Sequence, residues 1–134
     1  MPQPLIDSHF HLWELGHGRY KWLEGPPINT HFGDYAAIRR NYLGPDFLAD
    51  AKDQGLAACV HVQAEWDPAD AVGETRFLAD QRKRHGVPSA LVAYADLADP
   101  GFEASLDAHA DSGLLRGVRM LLRKPDHLGG GGAH

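Results

Sequence analysis

Four short apolar runs divide the chain, and polar segments with helical spacing separate them. The first run, Leu5-Ile6-Asp7-Ser8-His9-Phe10-His11-Leu12-Trp13, predicts a buried strand. Side chains alternate faces along a strand. Asp7, His9 and His11 are therefore expected on one face, and Ile6, Ser8 and Phe10 on the other. The second run, Ala57 to Glu65, predicts another strand. Ala90 to Leu97 predicts a third and Leu115 to Leu121 a fourth.

Helices are predicted between the later runs. Gly44-Pro45-Asp46 opens one that ends near Gly55, because proline at a first helical position sacrifices an N–H that would be unpaired anyway. Phe47, Leu48 and Ala51 form its apolar stripe. Asp67 caps a second helix by accepting from first-turn amides. Val72, Phe77 and Leu78 lie on its buried side, and Gly86 ends it. Asp99-Pro100 starts a third, with Phe102 and Leu106 inward and Gly113 at its end.

Between the first strand and the first helix lies a long irregular stretch, Glu14 to Leu43. It holds Gly16, Gly18, Gly25, Pro26, Pro27 and Gly33, which favour turns. It also holds Tyr20, Trp22, Phe32, Tyr35 and Tyr42, more aromatics than a disordered segment carries. Two readings fit: a packed cover over a site, or a plug for one end of the core.

Strands alternating with helices imply an α/β fold with a parallel sheet and right-handed crossovers. The early halves of the strands are apolar on both faces, as expected beneath helices. Their C-terminal ends turn polar: His9 and His11, then Gln63 and Glu65, then Asp96, then Arg119. Parallel α/β folds place their chemistry at that rim. Residues 1–124 are expected to form this unit, and 125–134, with Gly129 to Gly132, a disordered tail.

Composition narrows the function. The 134 residues include 13 basic and 18 acidic, a formal net charge of −5 with neutral histidines. No basic stripe is offered to phosphates, so nucleic acid is not an expected partner. Arg82-Lys83-Arg84 is too short and reads as a solvated face. The single Cys59 excludes an internal disulfide and reads as an inert core residue. No apolar run approaches about 18 residues, so no membrane span is expected. No secretion signal is visible, and the expected setting is cytoplasmic.

His9 and His11 are the first candidates for chemistry. Two imidazoles on one strand face can reach one metal ion or one substrate group. The plainer reading is a polar surface or core pair. Arg119 suits a substrate carboxylate through its planar fork, or a salt bridge to Glu65 or Asp96. Gln63 and Glu65 are placed to line a pocket or to support the ligands from behind. Glu65 is also the candidate third metal ligand. Trp22, with Trp13 and Trp66, either walls the pocket or packs the core.

These residues together resemble the amidohydrolase-related (amidohydrolase 2) family of the metal-dependent hydrolase superfamily. The matching stretches are Ile6-Asp7-Ser8-His9-Phe10-His11-Leu12-Trp13, Val62-Gln63-Ala64-Glu65, Tyr94-Ala95-Asp96-Leu97 and Leu115-Arg116-Gly117-Val118-Arg119, and the likeness spans about Pro4 to Leu121. The resemblance implies a TIM-type (β/α)8 barrel, of which this chain supplies the first four strands, a half-barrel. It implies a hydrolase acting on a lactone or other cyclic ester or amide of a small carboxylated or sugar-acid substrate. It assigns His9 and His11 to a divalent metal, zinc or manganese, or in other branches to contact with the substrate, and Arg119 to substrate binding. A complete barrel of this type takes about 250 residues. The family's general-base aspartate has no position here, so the chain is expected to be a truncated or split product. Its expected associations are a small-molecule substrate and either a second copy of itself or a complementing second half. Two further readings are a non-catalytic interaction module with an exposed edge strand, and a phosphoesterase, ranked last because no glycine-rich phosphate loop follows any strand.

Overall fold

The computed structural model describes residues 3–28 and 33–122. The expected disordered tail lies outside these residues.

Among the described residues four parallel strands form one sheet in the order β1-β2-β3-β4. They are β1 (Leu5–Phe10), β2 (Leu56–Val62), β3 (Ala90–Tyr94) and β4 (Leu115–Arg119). The described residues also form the α-helices α1 (Lys21–Glu24), α2 (Gly44–Asp50), α3 (Ala71–His85) and α4 (Phe102–Ala110). The α/β half-barrel expected from the sequence is the observed architecture. Strands and helices both stop short of the predicted limits, and β2 hands over to an irregular segment before Gln63.

Local chemistry explains the helix ends. The Asp67 carboxylate accepts from the Ala69 amide at 3.0 Å and opens a 3-10 turn, Pro68–Asp70, that leads into α3. Gly86 ends α3 with φ 83°, and its amide bonds Arg82 O at 2.9 Å. Arg82, Lys83, Arg84 and His85 crowd the last turn, where the helix dipole favours cations. Asp46 turns back to accept from the Leu43 amide at 2.9 Å and fixes the start of α2.

The main core lies between the sheet and α2 and α3. Phe10, Leu12, Phe47, Cys59, Leu78, Val87 and Leu91 form one buried cluster. Phe10 stacks on Phe47 with ring centroids 4.1 Å apart. Cys59 is fully buried there, and burial raises its thiol pKa, which suits an inert role.

Helices cover only one face of the sheet among the described residues. The expectation of strands sandwiched beneath helices is corrected here. Val60 and Val92 point the other way from Cys59 and Leu91 and stay half-buried, and Ile6 is 65% exposed.

A register shift corrects a second expectation. Asp7 pairs with Cys59 and Phe10 with His61, so one extra residue is accommodated between them on β1. Asp7 thereby takes the register of the helix-covered face and leaves the His9–His11 side. Its Oδ1 accepts from the His9 amide at 3.0 Å.

The described residues of the stretch after β1 are packed and form an aromatic segment, hereafter the cover, which suits either a cover over a site or a plug for one end of the core. Trp13 and Tyr42 exchange two backbone hydrogen bonds of 2.9 Å and close its base. Inside, Trp13, Tyr20, Leu23, Tyr35 and Ala64 form a second buried cluster. The Glu24 carboxylate stitches the turn by accepting from the amides of Gly16, Gly18 and Tyr20. Gly16 and Gly18 have φ 97° and 68°, which glycine adopts without strain.

Candidate active site

β1 ends in the histidine pair. The His9 and His11 rings meet edge to face with centroids 5.0 Å apart. His11 Nδ1 lies 2.8 Å from Val62 O. A carbonyl only accepts, so the hydrogen sits on Nδ1 and Nε2 carries the free lone pair. Ligating histidines are commonly oriented in this way. Burial lowers the His11 pKa to about 4; the Val62 bond opposes this, and His9 and Arg119 add to it. His11 is therefore neutral near pH 7, the form that ligates metal. Trp13 stacks on it at 5.9 Å.

A third imidazole adjoins the pair. His61, on β2, is fully buried and sits edge-on to both Phe10 and His11 at 5.7 Å. Its Nε2 donates to Leu12 O at 3.3 Å, and its Nδ1 has no hydrogen-bond partner among the described residues. Burial, then His11, lowers its pKa to about 3. Sequence reasoning passed over His61. The available signal was a lone histidine inside an apolar strand, Val60-His61-Val62.

Gln63 and Glu65 are brought together, but not onto the histidines. The buried Gln63 side chain accepts from the Glu65 amide at 2.8 Å and donates to Glu65 Oε1 at 2.7 Å. This clamp holds Glu65 at φ 61°, a left-handed conformation costly for a residue with a side chain. Arg119 Nη2 donates to Gln63 O at 2.5 Å, reaching from β4 to the end of β2. Arg119 also acts electrostatically on His11 and His61, so it shares their neighbourhood.

Glu65 and Asp96 face a cleft of about 400 Å³ at the C-terminal ends of β2, β3 and β4, walled by Trp66, Tyr94, Met120 and Leu121. His9 and His11 are outside its lining. Trp22 belongs to the cover: its Nε1 donates to Ala64 O at 2.9 Å, and its ring meets Trp13 at 5.8 Å. Of the three tryptophans, Trp66 walls the cleft.

A metal fits this arrangement in part. His9 and His11 present two adjacent imidazoles, and the His11 tautomer is the right one. Among the described residues no three His, Cys, Asp or Glu side chains group closely enough to hold an ion. Glu65 therefore does not complete the pair, and that expectation is corrected: its carboxylate is engaged by Gln63 across the rim. Catalytic zinc sites usually take three protein ligands.

Comparison with known proteins matches this picture. No family model matches the chain. It is 44% identical over 116 residues to an uncharacterized protein, y4mH, of Sinorhizobium fredii, covering 87% of this chain and 39% of that one. It is similar to a crystal structure of an amidohydrolase from Burkholderia multivorans with bound zinc: 30% identity, TM-score 0.64, 93% of this chain and 40% of the other. A second crystal form of that amidohydrolase, with bound HEPES, gives 28% identity and a TM-score of 0.61, over 93% of this chain and 39% of the other. The chain thus spans about two-fifths of the length of the relatives it matches. The relation to amidohydrolases is supported in sequence and fold together.

Proposed function

We propose that this chain forms the first half of a metal-dependent, amidohydrolase-like hydrolase, with His9 and His11 as two of its metal ligands. The observation that carries this reading is the Nδ1–H of His11 bound to Val62 O beside the ring of His9. The zinc in the Burkholderia amidohydrolase supports it. The bound cation would supply a Lewis acid for the scissile carbonyl and a nucleophile from water near neutral pH.

The chain's own residues do the rest. His11 stays neutral and oriented because Val62 O holds one nitrogen and Trp13 lies against the ring. Arg119 orients a substrate carboxylate through its planar fork. Glu65 and Asp96 accept hydrogen bonds from substrate hydroxyls in the cleft. The substrate class is a lactone or other cyclic ester or amide of a small carboxylated or sugar acid. The remaining ligands and the general base come from a second half.

Zinc titration of the chain by calorimetry tests the ligand assignment. His9→Ala and His11→Ala should each weaken binding at least tenfold, while Glu65→Ala leaves it unchanged. Equal affinity in His11→Ala and the parent chain would overturn the assignment.

The sheet also favours association. Among the described residues β1 and β4 are both edges, and Leu5, Ile6 and Leu122 are exposed at 46%, 65% and 52%. An open apolar face beside free strand edges invites a second half or a second copy. Sedimentation velocity should show concentration-dependent dimers that Ile6→Lys reduces.

A further inference from the structure

We propose that the buried Glu74–Tyr20 pair is a pH-responsive latch that positions the aromatic cover against the catalytic rim. The inference concerns the cover and stands apart from the metal assignment.

Glu74 lies on the sheet-facing side of α3 with 4% of its surface exposed, and Tyr20 of the cover is fully buried. One oxygen, Glu74 Oε2, accepts from the Tyr20 hydroxyl at 2.8 Å and from the Ala64 amide at 3.2 Å. Ala64 stands between Gln63 and Glu65, so one carboxyl joins three parts: the helix, the cover and the rim. The joint is reinforced around it. Trp22 Nε1 donates to Ala64 O, the Asp67 amide donates to Arg19 O at 2.8 Å, and Tyr20 meets Trp66 edge-on at 5.1 Å. Lys21–Asp67 and Arg19–Asp70 are ion pairs at the exposed margin, worth little alone. At the buried centre the Tyr20 hydroxyl meets the Glu74 carboxyl at 2.8 Å and, more distantly, Leu12 O at 3.4 Å.

A carboxyl buried among aromatic rings is costly to ionise. Burial raises the Glu74 pKa to about 7; the bonds from Tyr20 and Ala64 work against this, Glu65 adds to it, and Arg119 opposes it. Burial and Glu74 together push the Tyr20 phenol well above its ordinary value, so Tyr20 remains a donor. His109 of α4 faces the same helix at Thr75, and burial lowers its pKa. Undocking the cover returns Glu74 to water and to an ordinary carboxyl pKa. Docking therefore takes up a proton, and the docked cover loosens as pH rises from about 4.5 to about 7.

Hydrogen exchange of cover peptides, corrected for intrinsic rates between pH 5 and 8, tests this. The opening constant of the cover should rise about tenfold per pH unit up to about pH 7 and then level off. Glu74→Gln keeps the shape and the acceptor but cannot ionise, so its profile should be flat. Tyr20→Phe retains the titrating carboxyl and loses one bond, so it should keep the slope at higher opening throughout. A flat profile in the parent chain, an unchanged slope in Glu74→Gln, or a Tyr20→Phe curve coincident with the parent would each overturn the latch.

Discussion

His109 on α4 bridges Thr75 on α3 to the end of β3. Its Nε2 donates to Tyr94 O at 2.8 Å, and its Nδ1 lies 2.7 Å from Thr75 Oγ1. Because the carbonyl only accepts, Nδ1 is the acceptor and the threonine hydroxyl donates. The bridge fixes the strand end that carries Tyr94 and Asp96 into the cleft.

Removing one partner of that bridge leaves a buried polar group unpaired. His109→Leu should cost about 1–3 kcal/mol of unfolding free energy. Thr75→Val alone should cost about 1 kcal/mol, and the two together should cost less than their sum, since each removes the same bond. Urea titrations of the two single variants and the double variant measure the coupling. Strict additivity would show that the bridge contributes nothing.

Glu65 should tolerate glycine better than valine. Its φ of 61° is free for glycine and severely strained for a β-branched residue. Glu65→Gly should change stability by less than about 1 kcal/mol, the strain relieved offsetting the loss of the Gln63 clamp. Glu65→Val should lose at least about 1–3 kcal/mol. Thermal unfolding of both variants checks the order.

Gly44 is needed for close approach. A Cβ there would come within 2.9 Å of the His85 Cβ and 3.1 Å of its Cγ and Cδ2. The Gly44 backbone is tied to the same helix, because its amide donates to the buried Gln81 of α3 at 2.9 Å. Gly44→Ala should therefore destabilise by about 1–3 kcal/mol despite alanine's better helix propensity. A denaturation midpoint equal to or above the parent's would refute this.

Acid should unfold the protein through its neutral histidines. His11 and His61 have folded pKa values near 4 and 3, below an ordinary 6.5. The unfolded chain then binds more protons between these limits, so stability falls as pH drops from about 6.5 towards 3. The slope should be on the order of 1 kcal/mol per pH unit. Glu74 acts in the opposite sense between about 4.5 and 7, where its raised pKa makes the folded form the better proton binder. Urea midpoints measured against pH should therefore fall more steeply on acidification in Glu74→Gln than in the parent.

The placement of the candidate residues was legible from strand ends. His9, His11, Gln63, Glu65, Asp96 and Arg119 all stand at the C-terminal rim, because parallel strands separated by single helices must end on one side. Their grouping was not legible. Glu65 reads as a neighbour of the histidines by strand order, yet Gln63 turns it into the cleft with Trp66 and Tyr94. The shift between Asp7 and Phe10 moves Asp7 off the histidine face, and strict alternation cannot foresee a bulge.

The buried polar residues of α3 were invisible for a related reason. Glu74, Thr75 and Gln81 are polar and lie outside the apolar stripe of Val72, Phe77 and Leu78, yet all three are buried. Each bonds a partner distant in sequence: Tyr20, His109 and the Gly44 amide. Apolar periodicity records which side chains avoid water, and a polar group satisfied inside the protein leaves no mark on it.

Element order and two of the helix ends follow from the chain read alone, because the ends rest on groups a few residues apart, Asp67 with Ala69 and Gly86 with Arg82, and the parallel sheet follows from the alternation of strands and helices. The seating of the aromatic cover, the burial of His61 and the meeting of Tyr20, Ala64 and Glu74 on one carboxyl were decided by packing. Those contacts join residues up to 54 positions apart, and nothing local favours them until the sheet brings them together.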